Sequence, residues 1–420
     1  MREMKDSGIE WVGNIPATWK SIQIKNLFTI LSGATPTPDT DNWDGDVLWI
    51  TPADYKTKDK YVSGGKRNIS QQGFNTCSTS MIPKGSIIFS KRAPIGTVAI
   101  NTEVLCTNQG CLSCVSKADT CNDYYYYVMS VGTEHFELLG SGTTFKEISA
   151  NSFSNCKLPC PDKCEQEKIA SFLDERCSAF NCLISDIQSQ IEALEEYKRS
   201  VITEAVTKGL DPDVEMRDSG VQWIGMMPTH WDCQRGKYIL RYVQKPVRDD
   251  DGVITCFRDG EVTLRSNRRE EGFTMADKEI GYQGIDVGDL VVHGMDGFAG
   301  SIGISDSRGK ASPVLNVLDT EQNKRYIMYY LRSMAYNDVF VALATGIRVR
   351  SCDLRWNKLA ELLYSIPPIA EQQAIVEHID SVLERTNAII ADKKQQIETI
   401  EEYKKSLIFE YVTGKKEVQA

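Results

Sequence analysis

Residues Met4 to Lys20, MKDSGIEWVGNIPATWK, return 212 positions later as Met216 to Asp232, MRDSGVQWIGMMPTHWD. The match keeps Asp6 and Asp218, Gly8 and Gly220, Trp11 and Trp223, Pro16 and Pro228, and Trp19 and Trp231. Residue types this uncommon do not recur in register by chance, so the chain must build one architectural unit twice. The ends of the two copies repeat as well. Glu165-Gln166-Glu167-Lys168-Ile169 is echoed by Glu371-Gln372-Gln373-Ala374-Ile375, and Leu194-Glu195-Glu196-Tyr197-Lys198 by Ile400-Glu401-Glu402-Tyr403-Lys404, both 206 positions on.

A length of 420 residues is enough for two halves that each bury a core. The start mixes both signs of charge, and no stretch approaches the roughly 18 apolar residues of a membrane helix. The expectation is a cytoplasmic protein with no membrane association. Thirteen cysteines without framework spacing read as reduced packing residues. Cys106, Cys111 and Cys114 have a ferredoxin-like spacing, but they fall in a segment that reads as strand, whereas cluster ligands come from loops. No metal site is expected. A net charge of −10 argues against a general polyanion binder. Basic residues nevertheless cluster locally at Lys56 to Arg67, at Arg265 to Arg269 and at Arg348 to Arg355.

Neither proline nor glycine occurs from Glu165 to Lys208, where Leu173, Cys177, Phe180, Ile184, Ile187, Ile191 and Leu194 step by four and three. That is a heptad seam. Ile379, Leu383, Thr386, Ile390, Lys393, Ile397 and Ile400 keep the same rhythm in the second copy. A helix of about 44 residues is roughly 66 Å long and needs a partner, and each copy is the natural partner of the other. Lysines at seam positions 198, 393 and 404 imply snorkelling or a third helix from another protein. Between the repeats, residues 21–160 and 233–365 read as short strands followed late by tyrosine-rich helices, at Asn122 to Leu139 and at Lys324 to Leu343. Each head is therefore expected to be α+β. The heads share a frame and differ in content, which points to one task performed on two targets.

Taken together, the DSG-x2-W-x-G-x2-P-x2-W openings, the Leu48 to Asp54 stretch, the Gly142 to Ile148 and Gly346 to Arg350 loops, and the proline-rich exits before each EQ-led helix resemble specificity subunits of type I restriction-modification systems. The second head has no evident equivalent of Trp49 to Tyr55. The resemblance implies an α+β protein with two globular α/β target-recognition domains, separated by two long helices that form an antiparallel intramolecular coiled coil with pseudo-twofold symmetry. Its segments would be a first target-recognition domain over 1–160, a helix over 161–209, a second domain over 210–366 and a helix over 367–420. It implies a non-catalytic subunit. Each head would read one half of a bipartite, asymmetric site in double-stranded DNA. The helices would set the gap and dock methyltransferase subunits, two in number, with restriction subunits joining through the complex. No cofactor is expected on this chain; S-adenosylmethionine, ATP and magnesium would sit on partners. The sequence agrees in lacking a phosphate-binding loop and a methyltransferase tetrad. A standalone DNA-binding regulator and a coiled-coil scaffold remain the alternatives.

Bases are read by polar side chains presented from loops, and phosphates are held by Lys and Arg. Position in the frame nominates Thr143, Thr144 and Lys146 in the first head and Arg348 and Arg350 in the second. Lys91 and Arg92 follow a strand, and Arg265, Arg268, Arg269 and His293 complete the DNA-binding candidates. Gly294, Gly297, Gly300 and Gly303 are expected to mark tight loops or close approach of backbone to DNA. The four repeated tryptophans are expected to be core.

Overall fold

The computed structural model describes residues 2–55, 60–142, 146–268, 280–342 and 354–418. Compactness divides the chain differently from its linear order: one unit is 1–187 with 395–420, the other 188–394. Each unit thus takes one head, the near half of one long helix and the far half of the other.

In the first unit a five-stranded sheet is built from β1 (Phe28–Ser32), β2 (Tyr61–Val62), β3 (Ile87–Ser90), β4 (Val98–Asn101) and β5 (Cys111–Ser116), in the order β1-β5-β3-β4-β2. Its neighbours are antiparallel except β2, which runs parallel to β4. Strands β3 and β4 are apolar and buried at nearly every position, because a helix covers one face and loops cover the other. That helix is α1 (Asn122–Val131), whose four consecutive tyrosines are all buried. Cys111 and Cys114 lie in β5 and Cys106 just before it; all three are buried, and burial pushes the Cys106 thiol up to about 11 and Cys111 to about 12. Thiols held so far above neutrality stay protonated and behave as packing groups. Among the described residues no cluster of His, Cys, Asp and Glu could hold a metal ion.

The long helix α2 (Lys163–Lys208) follows. In the second unit β6 (Arg241–Tyr242), β7 (Leu290–His293), β8 (Ile302–Ile304) and β9 (Leu315–Asp319) form an antiparallel sheet in the order β6-β9-β7-β8. This is the order of the first sheet without its parallel edge strand. Helix α3 (Lys324–Tyr336) takes the place of α1, and α4 (Ile369–Val412) is the second long helix. The tyrosine-rich segments expected as single helices are each broken, at Gly132 and at Asn337.

The antiparallel pairing of the long helices is present in both units. In the first, Phe172 stacks on Tyr411 and Phe180 meets Tyr403 edge to face. In the second, Lys393 on α4 bonds Gln190 on α2, while nearer the helix ends Ile202 and Leu383 flank the same cavity. Of the seam residues expected from the heptad, Leu173, Cys177, Ile184, Ile187, Ile379 and Ile390 are buried, whereas Phe180, Ile191, Leu194, Leu383, Ile397 and Ile400 are half-buried. Two of the three seam lysines reach amides on the opposing helix, Lys404 Nζ to Asn181 Oδ1 at 2.7 Å and Lys393 to Gln190, while Lys198 pairs with Glu195 on its own helix at 2.8 Å. No helix among the described residues is long and apolar enough to cross a membrane.

The repeated residues make the same bonds in each unit. Trp19 Nε1 donates to Glu165 Oε2 at 2.8 Å, and Trp231 Nε1 to Glu371 Oε1 at 3.0 Å. Gln166 Oε1 accepts from Cys121 N at the start of α1, and Gln372 Oε1 from Asn323 N at the start of α3. Tyr127 and Tyr329 donate to Asp174 and Asp380, both at 2.6 Å. Tyr124 donates to Val412 O and Tyr326 to Val206 O, tying each head to the end of the helix that arrives from elsewhere in the chain. The EQ motif is thus a clamp: its glutamate satisfies a buried indole and its glutamine satisfies the free amide of a helix start. Asp6 and Asp218 cap Gly8 N and Gly220 N at 2.9 Å, with both glycines in the left-handed region that the turn requires. Of the four repeated tryptophans expected to be core, Trp19 and Trp231 are buried, while Trp11 and Trp223 are half-buried and pack against the edge of each core.

Candidate nucleic-acid interface

Strand β3 runs directly into Lys91 and Arg92. Lys91 N donates to Gly110 O, and Lys91 O accepts from Ile148 N at 3.0 Å, which brings the segment from Lys146 to Ile148 alongside. Glu147 sits between the cations, 2.8 Å from Lys91 Nζ and 2.8 Å from Arg92 Nε. The Lys91 hydrogen bond, with that of Arg92, holds the Glu147 carboxyl below the usual range. Lys91 is largely buried; Arg92 and Lys146 are exposed. The tertiary structure therefore joins two candidate segments that are far apart in sequence, with Lys91 and Arg92 both paired to one carboxylate. Thr143 and Thr144 lie outside the described residues.

In the second unit Arg265, Arg268 and His293 line one open cavity of about 880 Å³. Arg265 Nε donates to Thr255 Oγ1 at 3.3 Å. Arg268 binds Asp259 through Nη1 and Nη2 and also meets Glu261, so both of its terminal nitrogens face carboxylates. Arg258, not among the candidates, pairs with Asp296 across the cavity at 3.1 Å. His293 Nδ1 accepts from the backbone N–H of Met295 and of Asp296, and burial pulls the ring below its usual pKa. It is therefore neutral at pH 7, with its proton on Nε2, and is suited to a hydrogen bond rather than to neutralising a phosphate. Arg269, Arg348 and Arg350 lie outside the described residues.

The glycine run serves the chain's own packing. A Cβ on Gly303 would stand 1.9 Å from Gly260 O, one on Gly297 2.6 Å from Leu354, and Gly300 takes a φ of 94°. Close backbone approach is the reason for these glycines, and the neighbour approached is protein. The Thr51 to Asp54 stretch is likewise a turn. Asp54 accepts from Thr51 N and Oγ1 at 2.8 Å and from Lys66 N at 3.0 Å.

Residues 16–193 match the family described as type I restriction modification DNA specificity domain. The type I restriction enzyme MjaIX specificity subunit of Methanocaldococcus jannaschii is 36% identical over 189 residues, 44% of this chain and 43% of that protein. The match thus spans under half of that relative's length. The putative MjaX specificity subunit of the same organism is 21% identical over 96% of this chain and 95% of its own. Among solved structures, a chain from work on complex assembly and conformational transition of the type I R-M system superposes with a TM-score of 0.67 at 12% identity, covering 95% of this chain and 99% of that one. The HsdS subunit from Thermoanaerobacter tengcongensis gives 0.50 at 12%, over 95% and 98%. The likeness the comparisons share is thus to specificity subunits of type I restriction systems, and the family model's match is confined to residues 16–193.

Proposed function

We propose that the chain is the DNA-reading subunit of a type I restriction-modification assembly, each head reading one half of a bipartite, asymmetric duplex site. One observation carries this reading. The two units share the bonds from indole to glutamate and from tyrosine to aspartate, while the loops of the two heads carry unrelated polar and basic residues. A common mount with different faces suits one operation applied to two different sequences.

The helices set the interval between the halves and dock the methyltransferase subunits. Exposed apolar residues recur at the same offset on them: Leu183 and Ile389 are 46% and 47% exposed, Tyr197 and Tyr403 52% and 55%. Each unit bears one aliphatic residue and one tyrosine of this set, which favours two like partners. Restriction subunits join through that assembly, and S-adenosylmethionine, ATP and magnesium belong to the partners.

Reconstitution with a cognate methyltransferase subunit, followed by mapping of adenine methylation, tests the reading. A split motif that requires this chain is expected; methylation independent of the chain refutes it. Replacing residues 233–365 with another head should change one half of the motif and leave the other.

A further inference from the structure

Each unit holds an arginine over an aromatic ring beside an aspartate, but the two arginines offer different edges. Arg67 Cζ stands 4.2 Å from the Trp43 ring centroid, and its Nε and Nη2 donate to Asp44 Oδ1 and Oδ2 at 3.1 and 3.3 Å. Arg268 Cζ is 4.2 Å from the Phe257 ring, yet its Nη1 and Nη2 are both spent on Asp259. On Arg67 the Nη1–Nη2 edge keeps one hydrogen on each nitrogen and has no partner among the described residues.

The mount beneath Arg67 is rigid. Trp43 Nε1 donates to Thr37 O at 2.9 Å, and its ring meets Trp49 edge to face at 5.3 Å. Asp44 takes a φ of 59°, a region that Asp tolerates better than most residues, and Asp44 N bonds Asn68 O. Gly45 follows because a Cβ there would meet Ser70 Cα at 2.5 Å. This small cluster of Trp49, Ile69 and Cys106 contains no residue of the long helices, whereas the main core of the same unit takes in Leu173 and Leu407. Arg67 therefore stands on the part of the head that is not engaged in holding the frame, and half of its side chain is exposed.

Two parallel N–H donors in a fixed plane match the paired acceptors O6 and N7 of guanine in the major groove. They mismatch adenine, which shows one acceptor and one donor there. We propose that Arg67 is a specificity-determining residue of the first head, its Nη1–Nη2 edge reading one guanine while Asp44 and Trp43 hold the fork in plane. The proposal rests on the DNA-reading function above.

Arg67→Ala and Arg67→Lys, each assembled with the methyltransferase subunit, test it by mapped adenine methylation beside the wild-type chain, with thermal unfolding as the check on folding. Both variants are expected to lose discrimination at one guanine of a single half-site by about tenfold to a hundredfold, with the other half-site unchanged. Arg67→Lys keeps the charge and the folded core, so it isolates the fork geometry. A wild-type half-site without guanine, an Arg67→Lys motif identical to wild type, or a uniform loss across all sequences each overturns the proposal while leaving the DNA-reading function intact. A wild-type chain that directs no split motif overturns both.

Discussion

At the residue scale, the amino acids that repeat most faithfully are hydrogen-bonding parts of the frame. Gln166 is 1% exposed, accepts from Cys121 N and donates to Pro161 O. Replacing it with alanine strands a buried amide, and Gln166→Ala should cost about 1–3 kcal/mol in urea unfolding. Charge tells a second story. The Lys245 and Arg308 hydrogen bonds hold the Asp286 carboxyl down at about 2 from its ordinary 3.8. A depressed carboxyl stabilises the fold above its unfolded pKa, and that contribution is lost as pH falls from about 4 to about 2. Asp286→Asn should flatten the acid limb of unfolding followed by circular dichroism in that window, because the variant's loss of stability is full at pH 7 and vanishes toward pH 2. The candidate cations were legible as types but not as states. Nothing in the sequence reveals that Glu147 lies between Lys91 and Arg92, or that the His293 ring nitrogen accepts two backbone N–H groups.

At the element scale, the long helices were the most legible part, because a seven-residue period over many turns leaves no other structure that buries the same side chains. Ile379, with no exposure, should cost about 2–5 kcal/mol when cut to alanine. Tyr403→Ala, at a position 55% exposed, should cost little stability and instead weaken methyltransferase binding in calorimetric titration. A seven-residue insertion placed at matching points in both helices keeps the seam and adds roughly 10 Å of rise. The mapped motif should then gain about three base pairs of gap, at 3.4 Å per pair, with both halves intact. An unchanged gap would refute the ruler role. The heads were legible only as strands and turns. Their strand order depends on contacts such as β1 with β5, between residues 80 or more positions apart, and no local pattern encodes those.

At the scale of the whole molecule, each compact unit is completed by a helix end from a distant part of the chain. Leu407, Ile408 and Val412 belong to the core of the first head, Tyr124 donates to Val412 O, and a Cβ on Gly414 would press into Pro16 and Trp19. Deleting residues 407–420 should destabilise the first unit by about 5 kcal/mol or more, from the burial of three aliphatic side chains alone. The second unit should keep its own transition. Two resolved transitions in calorimetry, only the first unit's shifted by the deletion, are the expected outcome.

By itself the sequence determined that there are two like units, that each ends in a long amphipathic helix, and that the repeated tryptophans and EQ-led helix starts belong to a common frame. Periodicity and repetition are properties of the linear chain. Only the tertiary structure decided which carboxylate neutralises which cation, that the glycine run accommodates protein backbone, and that one arginine keeps a free pair of parallel donors over a tryptophan. Those outcomes depend on distances between residues that folding alone brings together.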